Sequence, residues 1–191
     1  QKDKFMARIR AIKPEAVEII DVDELCENGI MWDTAKIPAV VEKFRRVGID
    51  ALFLPFCDFG EEQVVAQIAG AFKVPTLVWG ARDERPNSDE VRGRDTQCGM
   101  FAATKVLRRY GVKYSYIWNC ETESDDFAKG YENFIRVAAV LKALKNLRVA
   151  KIGERPVPFM SVMTNEANLI NRIGITTVPI SPFAVAERAK K

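Results

Sequence analysis

None of the 191 residues is a histidine, and this is the most informative absence in the sequence. Histidine is the side chain that most often serves as a general base near neutral pH and as a ligand of transition metals. Nucleophiles of the Ser–His and Cys–His type are therefore excluded. Any chemistry carried out by this chain alone would have to use carboxylates, lysines or cysteines.

Several other signatures are also missing. Neither GxGxxG nor GxxxxGK[ST] occurs, so a cradle for nucleotide phosphates has no support. No two of the four cysteines have CxxC spacing, so the sequence predicts neither a zinc cluster nor a dithiol redox motif. It favours reduced thiols in the cytoplasm. No apolar run approaches the roughly 20 residues that span a bilayer, and we expect no secretory leader. We therefore expect a cytoplasmic protein with no membrane partner.

The charge is nearly balanced. The formal net charge is +3, and the basic residues are dispersed among 26 acids. Nucleic-acid binding requires a clustered basic face, so no nucleic-acid partner is expected. Apolar residues make up 48% of the chain, which is enough to bury a sizeable core.

Helical and strand-like segments alternate along residues 1–145. The apolar spacing predicts helices at 2–12, 34–48, 61–72, 95–110 and from 124 onward. Apolar runs predict strands at 16–20, 49–55, 74–79 and 114–118. Such alternation predicts an α/β fold with a parallel sheet covered on both faces, of the flavodoxin-like doubly wound type. Because the pattern starts with a helix, we expect the strand that normally precedes that helix to be missing.

Three helices are predicted to end in the same way. Gly48, Gly111 and Gly174 each follow arginine-containing helix ends and precede a strand-like run. A glycine there is expected to take the left-handed conformation just after the helix, while arginine lies near the negative end of its dipole. We interpret this echo as the common helix-to-strand turn of α/β folds, in preference to a repeat array.

Residues 146–191 are predicted to be a separate unit. Strands are expected at 147–153 and 175–178, with a helix at 164–172 between them and a last short helix starting at Ser181. One βαβ unit cannot bury its own sheet face. We therefore interpret the segment as the first βαβ unit of a second α/β domain, and the chain as a fragment.

Two strand ends carry residues suited to binding a ligand, at 56–60 and 79–86. In parallel α/β sheets, ligands bind at the carboxyl ends of strands, where loops and helix N-termini converge. Gly60 allows a sharp turn that brings the amides of the next helix close to a ligand. We therefore expect any binding site to lie at this edge.

The side chains at these ends suit a sugar. Phe59 and Trp79 could offer flat apolar faces to a sugar ring, while Asp58, Glu84 and Arg85 could hydrogen-bond its hydroxyl groups. The alternative is that the aromatic rings fill the top of the sheet and the charges are solvated. Spacing alone favours this alternative over a sugar-binding role.

Cys57 lies at the same edge and has two interpretations. A helix N-terminus lowers the pKa of a nearby thiol, which would suit a nucleophile. No histidine can assist it, however, and acids lie on both sides of it in the sequence. The residue types therefore favour a packed small side chain over a nucleophile.

The same segments carry a family resemblance. Residues 55–60, 78–80 and 84–86 resemble the N-terminal domain of the L-fucose/L-arabinose isomerase superfamily, the fucose isomerase branch above all. Residues 152–159, 165–166 and 173–175 look like the start of that family's second domain. The similarity follows nearly the whole chain in order, which makes it more specific than any single motif.

The resemblance implies a function for the parent protein. Such enzymes interconvert aldoses and ketoses with a divalent metal, usually Mn²⁺, held by two carboxylates and a histidine. Those ligands lie later in the family's sequences and none maps onto this chain. The resemblance therefore implies that this fragment is inactive alone, has no catalytic residue and binds no metal.

The resemblance also implies a role for this part of the protein. In the homo-oligomer, the N-terminal domain packs over a neighbouring subunit's active site and contributes to the substrate pocket. By that analogy, the substrate-binding residues are Cys57, Asp58, Phe59, Trp79 and Arg85, with Trp79 and Arg85 shaping or bracing the site. The family carries a tryptophan between cysteines here, where this chain has Phe56-Cys57-Asp58, so the sugar, a deoxyhexose or a pentose, stays open.

Two other functions are considered. A non-catalytic sugar-binding module of the periplasmic-binding or repressor type also pairs two α/β domains. It lacks support from an export signal or a DNA-binding segment. A flavodoxin-like flavin binder is the third and weakest interpretation.

Overall fold

The computed structural model describes residues 1–190. The chain forms two compact units, Gln1–Ala138 and a second from Ala139 onward. The division into domains at 145/146 stays a prediction.

Seven α-helices and five strands are found in the described residues. The helices are α1 (Lys2–Ile12), α2 (Ile37–Val47), α3 (Glu62–Gly70), α4 (Thr96–Arg109), α5 (Asp125–Leu144), α6 (Glu166–Ile173) and α7 (Pro182–Ala189). The strands are β1 (Leu52–Phe56), β2 (Thr76–Gly80), β3 (Ser115–Tyr116), β4 (Arg148–Ile152) and β5 (Thr176–Ile180). No helix of the described part is both long enough and apolar enough to cross a bilayer.

The first unit contains a three-stranded parallel sheet in the order β1-β2-β3. The register pairs Leu52 with Thr76 and Phe56 with Gly80, so β1 and β2 end level with each other. Their carboxyl ends therefore form one edge, as the sequence predicts for a parallel sheet.

Helices cover both faces of the sheet, and successive side chains of each strand point to opposite faces. Leu52 and Phe56 pack in a cluster with α2, α3 and α4, whereas the intervening Phe53 packs against a second cluster formed with α1 and α5. Trp79 belongs to that second cluster, and its neighbour Val78 belongs to the first. The prediction of a doubly wound α/β fold is confirmed.

The predicted strand at 16–20 is wrong. Residues 15–16 form a turn, residues 17–20 have no regular secondary structure, and the segment belongs to neither sheet. Ile19 packs against the second cluster, while Ile20 packs against the first. The side-chain alternation of a strand is present, but a strand also needs a hydrogen-bonded neighbour, and the described residues supply none.

The helix ends agree with the sequence except at one cap. Gly48, Gly111 and Gly174 all have left-handed backbone conformations, with φ of 73°, 69° and 80°, as predicted. The helix predicted to start at residue 34 instead begins with a short 3₁₀ turn, Thr34–Lys36, before α2. Asp33 is the cap, because its carboxylate accepts the N–H of Ala35 at 2.9 Å.

The second unit consists of a parallel pair, β4 and β5, with α6 between them and α7 after them. None of its described residues is buried, and large apolar side chains such as Val157 and Phe183 are more than four-fifths exposed. A single βαβ unit with an uncovered apolar surface is the arrangement that the sequence predicts.

Candidate functional site

The candidate site is the carboxyl edge of the first sheet, where loops follow β1, β2 and β3. The loop after β1 turns at Gly60, whose φ is +78°. A Cβ at this position would also lie 3.1 Å from the ring of Phe56. Glycine is therefore required both by the turn and by the buried ring beneath it.

Asp58 fixes this loop to the start of α4. Its Oδ1 accepts the N–H of Phe59 at 2.7 Å and the N–H of Asp95 at 2.9 Å. The second bond joins residues 37 positions apart in the sequence. The carboxylate that the sequence assigns to a sugar hydroxyl thus already accepts two backbone N–H groups.

Gly99 allows α4 to approach the backbone of the same loop. A Cβ on Gly99 would lie 1.7 Å from the carbonyl oxygen of Phe59, closer than any real contact. The Phe59 backbone is therefore held against the first turn of α4, while its side chain remains 42% exposed. This arrangement presents an apolar ring to solvent from a fixed backbone.

A second carboxylate caps α4. Asp83 Oδ2 accepts the N–H of Thr96 at 2.9 Å, and the buried Thr96 hydroxyl lies 2.9 Å from Asp83 Oδ1 and donates to the carbonyl of Ala81 at 2.6 Å. The positive end of the α4 dipole is therefore already neutralised by Asp58 and Asp83. It is not a ready site for an anion from outside.

Arg94 and Glu84 form a two-point ion pair next to this cap. Arg94 Nε and Nη2 donate to the two Glu84 oxygens at 2.9 and 2.7 Å. These hydrogen bonds from Arg94 hold the pKa of Glu84 below its ordinary value. The Arg94 side chain is 15% exposed, and its Nη1 has no hydrogen-bond partner among residues 1–190.

Arg85 has a different environment from its neighbour Glu84. It is exposed on the loop after β2, and no hydrogen bond or ion pair joins its guanidinium to another described residue. Its donors are therefore available to a ligand. The loop that carries Arg85 is held in place by two contacts between its ends, Asp83 with Thr96 and Glu84 with Arg94.

Trp79 lies in the core and not on the edge. Its side chain is 0% exposed, and its ring packs against Phe127 at 4.3 Å and edge-on against Phe5 at 6.2 Å. The ring therefore cannot stack on a sugar while this packing holds, which leaves bracing from beneath. Its Nε1 has no hydrogen-bond partner in the described part of the chain.

Cys57 is partly buried and packs against the same cluster as Trp79. Burial raises the pKa of its thiol above the ordinary value of 9.0, although the amino terminus and Arg94 act in the opposite direction. A raised pKa keeps the thiol protonated at neutral pH, which supports packing over nucleophilic chemistry.

Two further residues of this edge, Trp118 and Asn119, are not among those predicted from the sequence. Trp118 is 76% exposed and contacts Tyr116 edge-on at 5.6 Å. Asn119 Nδ2 donates to the carbonyl of Gly80 at 3.0 Å, which ties the loop after β3 to the end of β2. The signal that could have revealed Trp118 is its place one residue after the buried Ile117, at the end of an alternating run.

The site carboxylates do not form a metal centre. Within the described ranges no group of three or more cysteine, aspartate or glutamate side chains could hold an ion. Asp58 and Asp83 accept backbone N–H groups, and Glu84 pairs with Arg94, so these oxygens are already engaged. These residues therefore do not fit a metal ion.

A separate open groove lies elsewhere in the first unit. It has a volume of about 520 Å³, is open to solvent, and is lined by Arg10, Lys13 and residues 15–19 at the end of α1. None of the five predicted site residues lines it. Its shape alone does not outweigh the chemistry at the carboxyl edge, because an open groove excludes little water.

Comparison with known proteins indicates one family. Residues 1–145 match the family described as "Fucose/sulfoquinovose isomerase, N-terminal domain". Similar proteins include the sulfoquinovose isomerase of Priestia aryabhattai, 23% identical over 155 residues, which are 80% of this chain and 33% of that protein. The sulfoquinovose isomerase of Clostridium sp. (strain MSTE9) is 24% identical over 132 residues, covering 69% of this chain and 29% of that protein. The chain spans about a third of the length of the curated relatives it matches.

Proposed function

Since the chain belongs to the fucose/sulfoquinovose isomerase N-terminal domain family, we propose that it is the N-terminal part of an aldose–ketose isomerase. Its role is to form one wall of the substrate pocket, while the rest of the parent protein moves the proton between the sugar carbons. The observation that carries this proposal is the loop 57–60, held rigidly to α4 with the Phe59 ring exposed.

The rigid loop supports a binding role for physical reasons. Asp58 and Gly99 fix the backbone before any ligand arrives, so little ordering entropy is lost on binding. Phe59 then supplies an apolar face for the carbon side of a sugar ring, and Trp79 and Cys57 support the loop from within the core. In this account Asp58 positions the loop and does not bind the sugar itself.

Arg85 provides the charge in this proposal. Its guanidinium donors are not engaged by another described residue, and guanidinium groups bind oxyanions in a two-point geometry. The relatives are named for sulfoquinovose, a sugar that carries a sulfonate. We therefore favour a sulfonated hexose as the substrate over L-fucose or L-arabinose, with Arg85 near the sulfonate.

The remaining properties of the parent protein follow the family resemblance. We propose that the parent protein binds a divalent metal, Mn²⁺, through ligands that lie outside this chain. A homo-oligomer, in which this domain covers a neighbouring subunit's active site, and a cytoplasmic location complete the proposal. Metal analysis and light scattering of the purified parent protein test the metal and the oligomer, and fractionation of the cells that produce it tests the location.

The experiment compares sugars and variants in the parent protein. Isomerisation of sulfoquinovose, L-fucose and L-arabinose is measured for the natural sequence and for Arg85→Gln. We expect sulfoquinovose to be preferred and the variant to raise its KM by roughly tenfold to a hundredfold, the 1.5–3 kcal/mol typical of a hydrogen bond to a charged group.

Arg92→Gln is the matched control, because Arg92 is an exposed arginine of the same loop that already pairs with Asp95 at 3.2 Å. Equal KM values for the two variants would contradict the role of Arg85. Sugar binding by the parent protein with no isomerisation of any of the three sugars would favour the non-catalytic sugar-binding module instead.

A further inference from the structure

An exposed tryptophan follows β3 at the same edge of the sheet as the candidate site. Trp118 is 76% exposed, whereas Ile117, the residue before it, is buried in the second cluster with α1 and α5. Successive side chains of an extended chain point to opposite faces, so the Trp118 side chain lies on the other face, which α4 covers. Tyr114, four residues earlier, packs against the cluster of that face, as the alternation requires. Trp118 and α4 therefore share one face of the sheet.

The backbone on both sides of Trp118 is fixed to β2 and to the loop after it. The three hydrogen bonds are Ile117 N–H to the Val78 carbonyl at 3.2 Å, Asn119 Nδ2 to the Gly80 carbonyl at 3.0 Å and Arg82 N–H to the Cys120 carbonyl at 3.0 Å. The ring itself contacts Tyr116 edge-on, with 5.6 Å between the ring centroids. Single exposed apolar side chains are ordinary on protein surfaces. A rigidly held one loses little ordering entropy when a ligand covers it, which suits a binding role.

Trp118 completes a set of three groups around the end of β2. The strand order β1-β2-β3 places the Phe59 loop on one side of that strand end and Trp118 on the other. The loop that carries Arg85 starts between them, and its Arg82 N–H is bonded to the loop after Trp118. Neighbouring strands lie about 4.8 Å apart, so the ends of β1 and β3 are about 10 Å apart. One sugar ring with a side chain on either side of it can fill that span.

The indole ring of Trp118 has the chemistry that a sugar requires. A sugar ring presents C–H groups on its faces and hydroxyl groups around its rim. An indole face covers the C–H groups, and the indole N–H can donate to a hydroxyl oxygen. Trp79, the tryptophan predicted from the sequence, is 0% exposed and cannot make these contacts. Trp118 is the tryptophan of this edge whose ring reaches solvent.

We propose, as a consequence that rests on the proposed function, that Trp118 is a substrate-binding residue of the parent protein. Its indole ring stacks on the apolar face of the sugar ring, across the end of β2 from Phe59, while Arg85 binds the sulfonate. The aromatic side chains then recognise the sugar ring and the guanidinium recognises the charge. Trp118 thus has the stacking role that the sequence predicts for Trp79.

Kinetic measurements on the parent protein test the proposal. We expect Trp118→Ala to raise the KM for sulfoquinovose by roughly tenfold, the scale of uncovering part of one aromatic side chain. The kcat should stay nearly unchanged, because the ring contacts the substrate and the transition state alike. Trp118→Phe keeps a flat aromatic face and should recover most of the affinity.

Tryptophan fluorescence of the parent protein gives a second readout, which does not depend on turnover. Adding sulfoquinovose should shift the emission to shorter wavelength, because the sugar displaces water from the Trp118 ring. The shift should be smaller in Trp118→Phe than in the natural protein. Trp32 provides the matched control, because it is also exposed, at 58%, but lies before α2 and follows none of the three strands. Trp32→Ala should leave the KM unchanged, and Trp32→Phe should leave the shift unchanged.

Three results would overturn the proposal. One is a Trp118→Ala protein with the KM of the natural protein, and another is an emission shift that persists unchanged in Trp118→Phe. The third is a lower mass of Trp118→Ala in light scattering, which would assign the ring to a contact between subunits. If any of these occurs while Arg85→Gln still raises the KM, the proposed function stands and only the role of Trp118 fails. A parent protein that neither binds nor isomerises any of the three sugars would contradict both.

Discussion

Substituting Gly99 by alanine tests whether the candidate site depends on the close approach of α4 to the loop after β1. Helix propensity alone favours the change by about 1 kcal/mol, because glycine is a poor residue in a helix interior. The new Cβ would lie 1.7 Å from the Phe59 carbonyl oxygen and 2.4 Å from its carbon. Both are backbone atoms, so no rotation of a side chain can relieve the clash.

The loop and the helix must therefore move apart. Overpacking costs typically 1–3 kcal/mol and occasionally more, and a clash with two backbone atoms belongs in the upper part of that range, at about 2–3 kcal/mol. This cost exceeds the gain in helix propensity. We expect a net loss of about 1–2 kcal/mol in the free energy of unfolding. For a domain of this size that corresponds to a fall in Tm of roughly 2–8 °C.

The assay is thermal unfolding followed by circular dichroism, with Gly70→Ala as the control. Gly70 is also helical, and its added Cβ would meet only the Tyr110 ring, at 3.1 Å. That ring is half-exposed and can rotate away, so the control should stay within about 1 kcal/mol of the natural chain. A Gly99→Ala protein that melts at or above the temperature of the natural chain would refute the reasoning.

Two further predictions concern the core beneath the site. Trp79→Ala should lower the free energy of unfolding in urea by about 3–5 kcal/mol, because it empties a fully buried position. Trp118→Ala is the control and should lower it by about 0.5 kcal/mol or less, because Trp118 is 76% exposed. Similar losses for the two variants would contradict the placement of Trp79 in the core. The raised pKa of Cys57 means that the folded state holds the thiol proton to higher pH than the unfolded chain does. The contribution of the protonated Cys57 thiol to the free energy of unfolding is complete below about pH 9. It is lost as the pH rises through the folded-state pKa. The fall in urea midpoint between pH 7.5 and about pH 10 should therefore be smaller in Cys57→Ala than in the exposed control Cys98→Ala, and equal falls would show that burial does not perturb this thiol.

The fold was largely predictable because its determinants are local. Apolar spacing located α1 at Lys2–Ile12 and placed the other helices and the strands within a few residues. The glycine ends of the helices followed from backbone sterics alone, as at Gly48. The strand predicted at 16–20 failed because pairing depends on a neighbour, which no local pattern can supply.

The candidate site was less predictable because its key contacts are distant in sequence. Asp58 looked like a sugar ligand, and its bond to the N–H of Asp95 depends on where α4 begins in space. Trp79 follows a run of apolar residues, and that pattern is equally compatible with a ring at the edge of the sheet and a ring in the core. Only the packing of α1 and α5 on that face places it in the core. Arg94, which organises Glu84, lies ten residues away across an irregular loop.

The central claim is that this chain shapes a sugar pocket whose chemistry resides in the rest of the parent protein. The most direct test is isomerase activity toward sulfoquinovose with added Mn²⁺, measured on the chain alone, on the remainder of the parent alone, and on the intact parent. The account predicts activity only in the intact protein, with a KM that depends on Arg85. Turnover by the chain alone would contradict it, as would full activity, with an unchanged KM, in a parent protein that lacks residues 1–145.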